Sequence, residues 1–209
     1  MNHSGEEKIN SWLREKKWKM ADFQKETMNA FLSGKSGILN APTGSGKTYA
    51  LWFPIMVKYF DQWQLLPKAE QKGLQVILIT PLRALAKDIQ RNLQDACDQI
   101  GIPWKVGIRT GDTAQKEKAS QKKLMPEALI ITPESLHLLF TQKEAHKIFS
   151  NLKVVIADEW HELLGSKRGT QTELALARLK NLPIQLWGIS ATIGNLEQAA
   201  DTLLGMNFP

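Results

Sequence analysis

The 209 residues predict an α/β fold, an open, mostly parallel sheet with helices on both faces. Three observations carry that expectation. Six short runs rich in Val, Ile and Leu recur without polar alternation, as strands covered on both faces require. Helical patterns separate most of these runs. Chemically unusual peptides fall at the ends of the runs, where open α/β sheets hold their ligands.

The elements follow in chain order. Residues 8–33 read as two helical stretches, around INSWLREKKWKM and FQKETMNAFLSG, the second closed by Gly34. The strand expectations are 36–40, 74–80 (LQVILIT), 105–109, 128–131 (ALII), 152–157 (LKVVIA) and 185–190 (QLWGIS). Between them, KTYALWFPIMVKYF and residues 83–100, 134–149 and 170–181 carry helical patterns. This length fills one α/β domain or two very small ones.

The stretch LNAPTGSGKTYALW (39–52) sits between the first strand and the helix after it. Gly44 and Gly46 lack Cβ atoms, so the loop can curl and aim its backbone N–H groups inward. Lys47 offers a compact positive charge to β/γ-phosphates, and Thr48 a hydroxyl to a magnesium ion. The following helix points its positive dipole end at the same place. The pattern G-x-x-x-x-G-K-[ST] begins with glycine, and Ala41 stands there instead. An ordinary Gly-rich turn before a helix is the competing reading.

VVIADEWHELL ends a strand with Asp158 and Glu159. A carboxylate at a strand end across from a phosphate loop can hold magnesium, and the next can orient or deprotonate water. Adjacent acids at a surface turn are common, but the pairing with 41–48 favours a site. Trp160 suits core packing. His161 is either a satisfied polar residue or a link from the nucleotide to another element. Ser190 and Thr192, in GISATIGN, suit a helix cap. TPLRALAKD (80–88), RTGD (109–112) and ITPES (131–135) each join a hydroxyl, a Pro or Gly turn and a helix start. Singly each is a cap. Together they could track a nucleic-acid backbone without reading bases.

The formal charge is +6, with 27 Lys and Arg against 21 Asp and Glu, which suits an anionic partner. Lys105–Lys123 holds a net +4, read either as part of such a surface or as a solvated helix face. Cys97 is the only cysteine, so no intrachain disulfide or cysteine zinc site can form, and a reducing, cytoplasmic setting is expected. The polar start is not a signal peptide, and no apolar run reaches the length of a membrane span.

Taken in order, Gln24, APTGSGKT (41–48), TPLRALAKD, TGD (110–112), TPES (132–135), DEWH (158–161) and SAT (190–192) resemble the first motor lobe of a superfamily 2 helicase. DEWHELLGSKRGTQTELALARL (158–179), LWGISATIGN (186–195) and GDTAQKEK leading to ITPESL are most similar to the Lhr-like group, including the ligase-associated DExH-box helicases. The likeness runs from Trp18 to Leu204. It implies a RecA-like P-loop NTPase domain, with N-terminal helices (1–35) joined to an ATP-binding lobe (36–209). It implies ATP and Mg2+ as cofactors.

Gln24 would read adenine, with Trp18 or Phe23 against the base. Thr43, Gly44, Ser45, Gly46, Lys47 and Thr48 would surround the phosphates. Thr48 and Asp158 would hold the metal, with Lys47, Asp158 and Glu159 catalytic and Glu159 activating water. His161, Ser190 and Thr192 would couple nucleotide state to nucleic-acid grip. Arg83, Thr110, Gly111, Thr132 and Glu134 would contact one strand. The GSKRG loop (165–169) would touch nucleic acid or simply be solvated.

The implied partners are DNA, single-stranded or as a tailed duplex, and a second RecA-like lobe carrying an arginine finger. The implied process is DNA repair. The chain stops at Pro209, soon after SAT, which reads as an isolated first lobe that binds ATP and barely hydrolyses it. An RNA helicase lobe, a stand-alone binding module and an unrelated P-loop NTPase are the alternatives.

Overall fold

In the computed structural model, which describes residues 4–160, 167–191 and 196–205, the six apolar runs pair into one sheet. Its strands are β1 (Gly37–Asn40), β2 (Val76–Ile79), β3 (Val106–Arg109), β4 (Ala128–Ile131), β5 (Val154–Ala157) and β6 (Gln185–Ser190). The spatial order is β1-β6-β5-β2-β4-β3, and every pairing is parallel. Val76 and Leu78 of β2 enter one apolar cluster and Ile77 and Ile79 the other. Both faces are therefore covered, which is why the runs show no polar alternation.

One face carries α1 (Gly5–Glu15), α2 (Asp22–Leu32), α3 (Lys47–Asp61) and α5 (Arg83–Ile100) around Ile9, Phe31, Trp52 and Phe53. The other carries α7 (Pro133–Phe140), α9 (Lys167–Leu179) and α10 (Leu196–Leu204) around Leu136, Trp160, Leu176 and Leu186. The remaining elements are a 3-10 turn at Trp63–Leu65, α4 (Lys68–Gln71), α6 (Gln115–Lys123) and α8 (Ala145–Ile148). Pro54 lies inside α3. It removes one backbone bond, and the burial of its neighbours Phe53 and Ile55 offsets the loss. Among the described residues no helix is long and apolar enough to cross a membrane.

Two element boundaries differ from the sequence expectation for local reasons. The first helix stops at Glu15, because Lys17 turns left-handed (φ 56°). The Trp18 N–H then reaches Leu13 O and the Lys17 N–H reaches Arg14 O, a Schellman closure without glycine. The single helix expected at 134–149 divides into α7 and α8. Thr141 folds its hydroxyl back onto Leu138 O, and Gln142 and Ala145 donate into tight turns.

Register sets the functional edge. Ile79 pairs both Ala157 and Ile131, and Arg109 pairs Ile131, so β5, β2, β4 and β3 end level, while Ala157 pairs Gly188 and Asn40 pairs Ser190, so β6 and β1 run two residues further. The peptides after β1, β6 and β5 occupy one half of that edge, and those after β2, β4 and β3 the other. Backbone bonds run on past the strands. Ala41 N donates to Ser190 O, Asp158 N to Ile79 O, and Thr80 N to Ile131 O.

The outer strand β3 does not present a bare edge. Gln90 Nε2 donates to Val106 O at 3.0 Å, and Val106 N donates to Gln94 Oε1 at 2.8 Å. Gln94 Nε2 donates to Trp104 O, and Gln121 Nε2 to Ile108 O.

Candidate functional site

The first half of the edge builds a cavity of about 310 Å3. Its lining includes Thr43, Gly44, Gly46, Lys47, Thr48, Asp158 and Glu159, so the glycine loop after β1 and the acidic turn after β5 meet at one place. β6, lying between β1 and β5, sets their spacing. Gly46 caps α3 with φ 86°, and a Cβ there would sit 2.9 Å from Gln24 Nε2. The first amides of α3 have no partner within the helix, as at any helix start, and they face the loop.

Lys47 is only 7% exposed, and its Nζ has no hydrogen-bond partner. A buried ammonium without acceptors is costly alone and suited to an anionic ligand. Asp158 is buried to the same degree. Burial first, and then the charge of Glu159, push its carboxyl up to about 6, while the backbone N–H of Glu159 and the charge of Lys47 pull the other way. Glu159 itself holds a left-handed backbone, φ 48°. Phosphate oxygens against Lys47, and a divalent cation against Thr48 and Asp158, would satisfy the two buried charges. Among the described residues there is no cluster of three or more His, Cys, Asp or Glu that would hold a metal by itself.

The remaining expected nucleotide residues flank the cavity. Ser45 turns its hydroxyl onto Pro42 O at 2.7 Å. Gln24 lies behind the loop, accepting from Ala21 N at 2.9 Å and donating to Gly46 O at 3.1 Å. It ties the start of α2 to the loop. Phe23 packs under the loop with Leu39, Ala41 and Ala50. Trp18 is 49% exposed, with its ring 5.7 Å from both Trp12 and Tyr49. Tyr49 lines the cavity, as do Leu85, Ile89 and Asn92 of α5. These four escaped the sequence reading. Their only signal was the 85, 89, 92 stripe of α5, which by spacing alone looks like core.

Ser190 is fully buried beside the loop. His161 and Thr192 lie outside the described residues, as do Gly165 and Ser166 of the GSKRG stretch, whose residues 167–169 open α9 instead of continuing a loop. Trp160 is fully buried, and its indole N–H donates to Ala199 O of α10 at 3.1 Å. The acidic turn is thus fastened to the helix that follows β6.

On the second half of the edge, the threonine hydroxyls serve their own turns, and neither caps a helix amide. Thr110 accepts from Asp112 N at 3.2 Å, and Thr132 donates to Ser135 Oγ at 3.1 Å. Both side chains are buried. Arg83 and Gly111 are the exposed members, and Arg83 Nη1 lies 3.9 Å from Asp112 Oδ1. Glu134 is half-buried in the first turn of α7. The +4 stretch is not one surface: Arg109 is buried, donating to Gln121 Oε1 at 3.0 Å, while the α6 lysines line a solvated helix.

Comparison with known proteins is consistent with this geometry. Residues 21–199 match the DEAD/DEAH box helicase family. The chain is 34% identical over 195 residues to an Lhr helicase/probable uracil glycosylase of Mycolicibacterium smegmatis, covering 87% of this chain and 13% of that one. It is 36% identical over 207 residues to an ATP-dependent helicase Lhr-Core of Sulfolobus acidocaldarius, covering 94% of this chain and 23% of that one. Its structure is similar to that of Mycobacterium smegmatis helicase Lhr bound to ssDNA and AMP-PNP, with TM-score 0.79 and 31% identity, covering 97% of this chain and 26% of that one. The chain thus spans about a quarter or less of each of these relatives.

Proposed function

The chain belongs to the DEAD/DEAH box helicase family, and from that premise we propose that it is the ATP-binding first motor lobe of an Lhr-like, ATP-dependent DNA helicase acting in repair. The observation that carries this reading is the buried, unpartnered Lys47 ammonium in one cavity with the glycine loop and the Asp158–Glu159 turn.

The roles follow from chemistry. The loop amides of 43–48 and Lys47 bind β/γ-phosphates. Thr48 and Asp158 hold Mg2+, whose positive charge would draw the Asp158 carboxyl back to its ionised form. The metal supplies electrostatic stabilisation of the transferring phosphoryl group. Glu159 orients the attacking water and takes its proton. Gln24, already bonded to the loop at Gly46, reads the adenine edge with its remaining amide capacity. Ser190, whose carbonyl accepts from the loop at Ala41, and the neighbouring His161 and Thr192 carry nucleotide state toward the nucleic acid. The second half of the edge, with Arg83 and Gly111 exposed, holds one strand by its backbone. A second lobe, facing the γ-phosphate from the other side with an arginine finger, completes the site. DNA is preferred over RNA because a relative of known structure holds ssDNA.

The test is a steady-state ATPase assay of this chain alone and joined to a second motor lobe, with DNA and with RNA. The single lobe should bind ATP–Mg2+ and hydrolyse it barely above background. The joined protein should turn over faster with DNA, and Glu159→Gln should cost it on the order of 10²-fold or more in rate with binding retained. Stimulation by RNA alone would reassign the substrate. Full turnover by Glu159→Gln would remove the residue from its role.

A further inference from the structure

A second and larger cavity, about 930 Å3, lies on the other side of α5, between that helix and the outer strand β3. We propose that this groove is a second phosphate track, holding the sugar–phosphate backbone of nucleic acid where the strand leaves the level row of strand ends. The proposal rests on the nucleic-acid reading of that row and extends it from Arg83 and Lys87, at the start of α5, to Arg91 and Lys105, which lie outside the family motifs.

Charge and spacing carry the inference. Arg83, Lys87 and Arg91 stand at i, i+4 and i+8 on one stripe of α5, spanning about 12 Å of helix. That is roughly the axial length of three to four nucleotides. Lys105 faces them from the foot of β3. Lys87, Arg91 and Lys105 are exposed, and none has an ion pair among the described residues. Arg83 has one, at 3.9 Å between exposed groups, a geometry that contributes little. The acids lining the groove are Asp112 and Glu117, so four cations face two carboxylates.

The lining also says what is not read. It contains no aromatic side chain, so no base finds a stacking platform. Gln90 has donated its amide to Val106 O and is occupied with the fold. Backbone recognition without sequence preference is what remains. The groove is continuous with the strand-end row, because Arg83 and Thr110 belong to both.

The opposite stripe of α5, Leu85, Ile89 and Asn92, lines the nucleotide cavity. Substitutions in the groove therefore leave that cavity intact. The triple variant Lys87→Gln/Arg91→Gln/Lys105→Gln removes the charges and keeps side chains of good helix propensity at the α5 positions. A fluorescent single strand and a tailed duplex would be titrated against this chain over a salt series. Each lost phosphate contact should reduce the slope of log affinity against log salt by roughly 0.7 on a single strand and 0.9 on a duplex, so a fall of about two or more is expected. ATP affinity and thermal midpoint should stay at the parent values, and Lys87→Gln alone should give about one third of the effect.

Arg83→Ala separates the two readings. If it lowers affinity while the triple variant leaves the slope unchanged, the row stands and the track is overturned, leaving the groove to an acidic protein partner. If the parent chain shows no salt-dependent binding at all, both readings fall.

Discussion

Replacing Lys47 by Met should raise the stability of the empty protein and lower its response to nucleotide. The residue is buried, and its ammonium has no hydrogen-bond partner. Methionine keeps the length and apolar stem without the charge. The Asp158 carboxylate offsets part of the ammonium's burial cost, so the relief is set at the low end, about 1 kcal/mol. For a domain of this size that is about 2–4 °C in thermal midpoint.

The lost phosphate contact is charge-assisted, about 1.5–3 kcal/mol, or roughly 10- to 150-fold in affinity. At a ligand concentration 100 times the parent dissociation constant, the parent gains about 2.7 kcal/mol and the variant only about 0.3–1.4. The ligand-induced shift in midpoint should therefore at least about halve. Thermal unfolding of both proteins, with and without a non-hydrolysable ATP analogue and Mg2+, gives both numbers. A variant with a lower empty midpoint and an undiminished nucleotide shift would show that Lys47 is a structural cation and that phosphate binds elsewhere.

Other outcomes follow from buried groups. Trp160→Phe keeps one aromatic ring but removes the pyrrole ring and leaves the Ala199 carbonyl without its indole donor, so urea unfolding should show a loss of at least about 1–3 kcal/mol; no loss would mean that both the bond and the packing are replaced. Burial pushes the Cys97 thiol up to about 12, with the Asp98 charge adding to it. In the folded protein it should resist an aromatic disulfide reagent at pH 8 and react only at the rate of unfolding; rapid labelling would refute its burial. The same shift makes stability fall as pH rises from about 9 toward about 12, because the unfolded chain releases a proton there that the folded chain keeps. Denaturant midpoints at pH 8 and 10.5 measure it.

The central strands β2, β4 and β5 were legible because each is a short, unbroken apolar run, as double coverage requires, whereas β1, β3 and β6 carry a polar residue or a glycine and were legible by their place between helices. The glycine loop and the acidic turn were legible because their chemistry is written in consecutive residues. What escaped depends on which elements become neighbours. Leu85, Ile89 and Asn92 look like one more apolar stripe until α5 is placed beside the loop. The basic groove mixes residues from α5 and the foot of β3. The +4 stretch, conversely, looked continuous along the chain, but folding removes Arg109 from the surface. The left-handed turn at Lys17 and the break after Phe140 rest on hydrogen bonds made by residue types that tolerate a helix equally well.

The glutamines along β3 bear on how the lobe behaves at high concentration. An outer strand with free N–H and C=O groups is a template for another chain, and crowded or partly unfolded protein aggregates along such lines. Here Gln90, Gln94 and Gln121 occupy groups that a foreign strand would seek. Alanine at 90 and 94 would leave every core contact of β3 in place and still expose Val106 to strand addition. The cost would appear as lost solubility and fibrous or dimeric material rather than as a lower melting temperature.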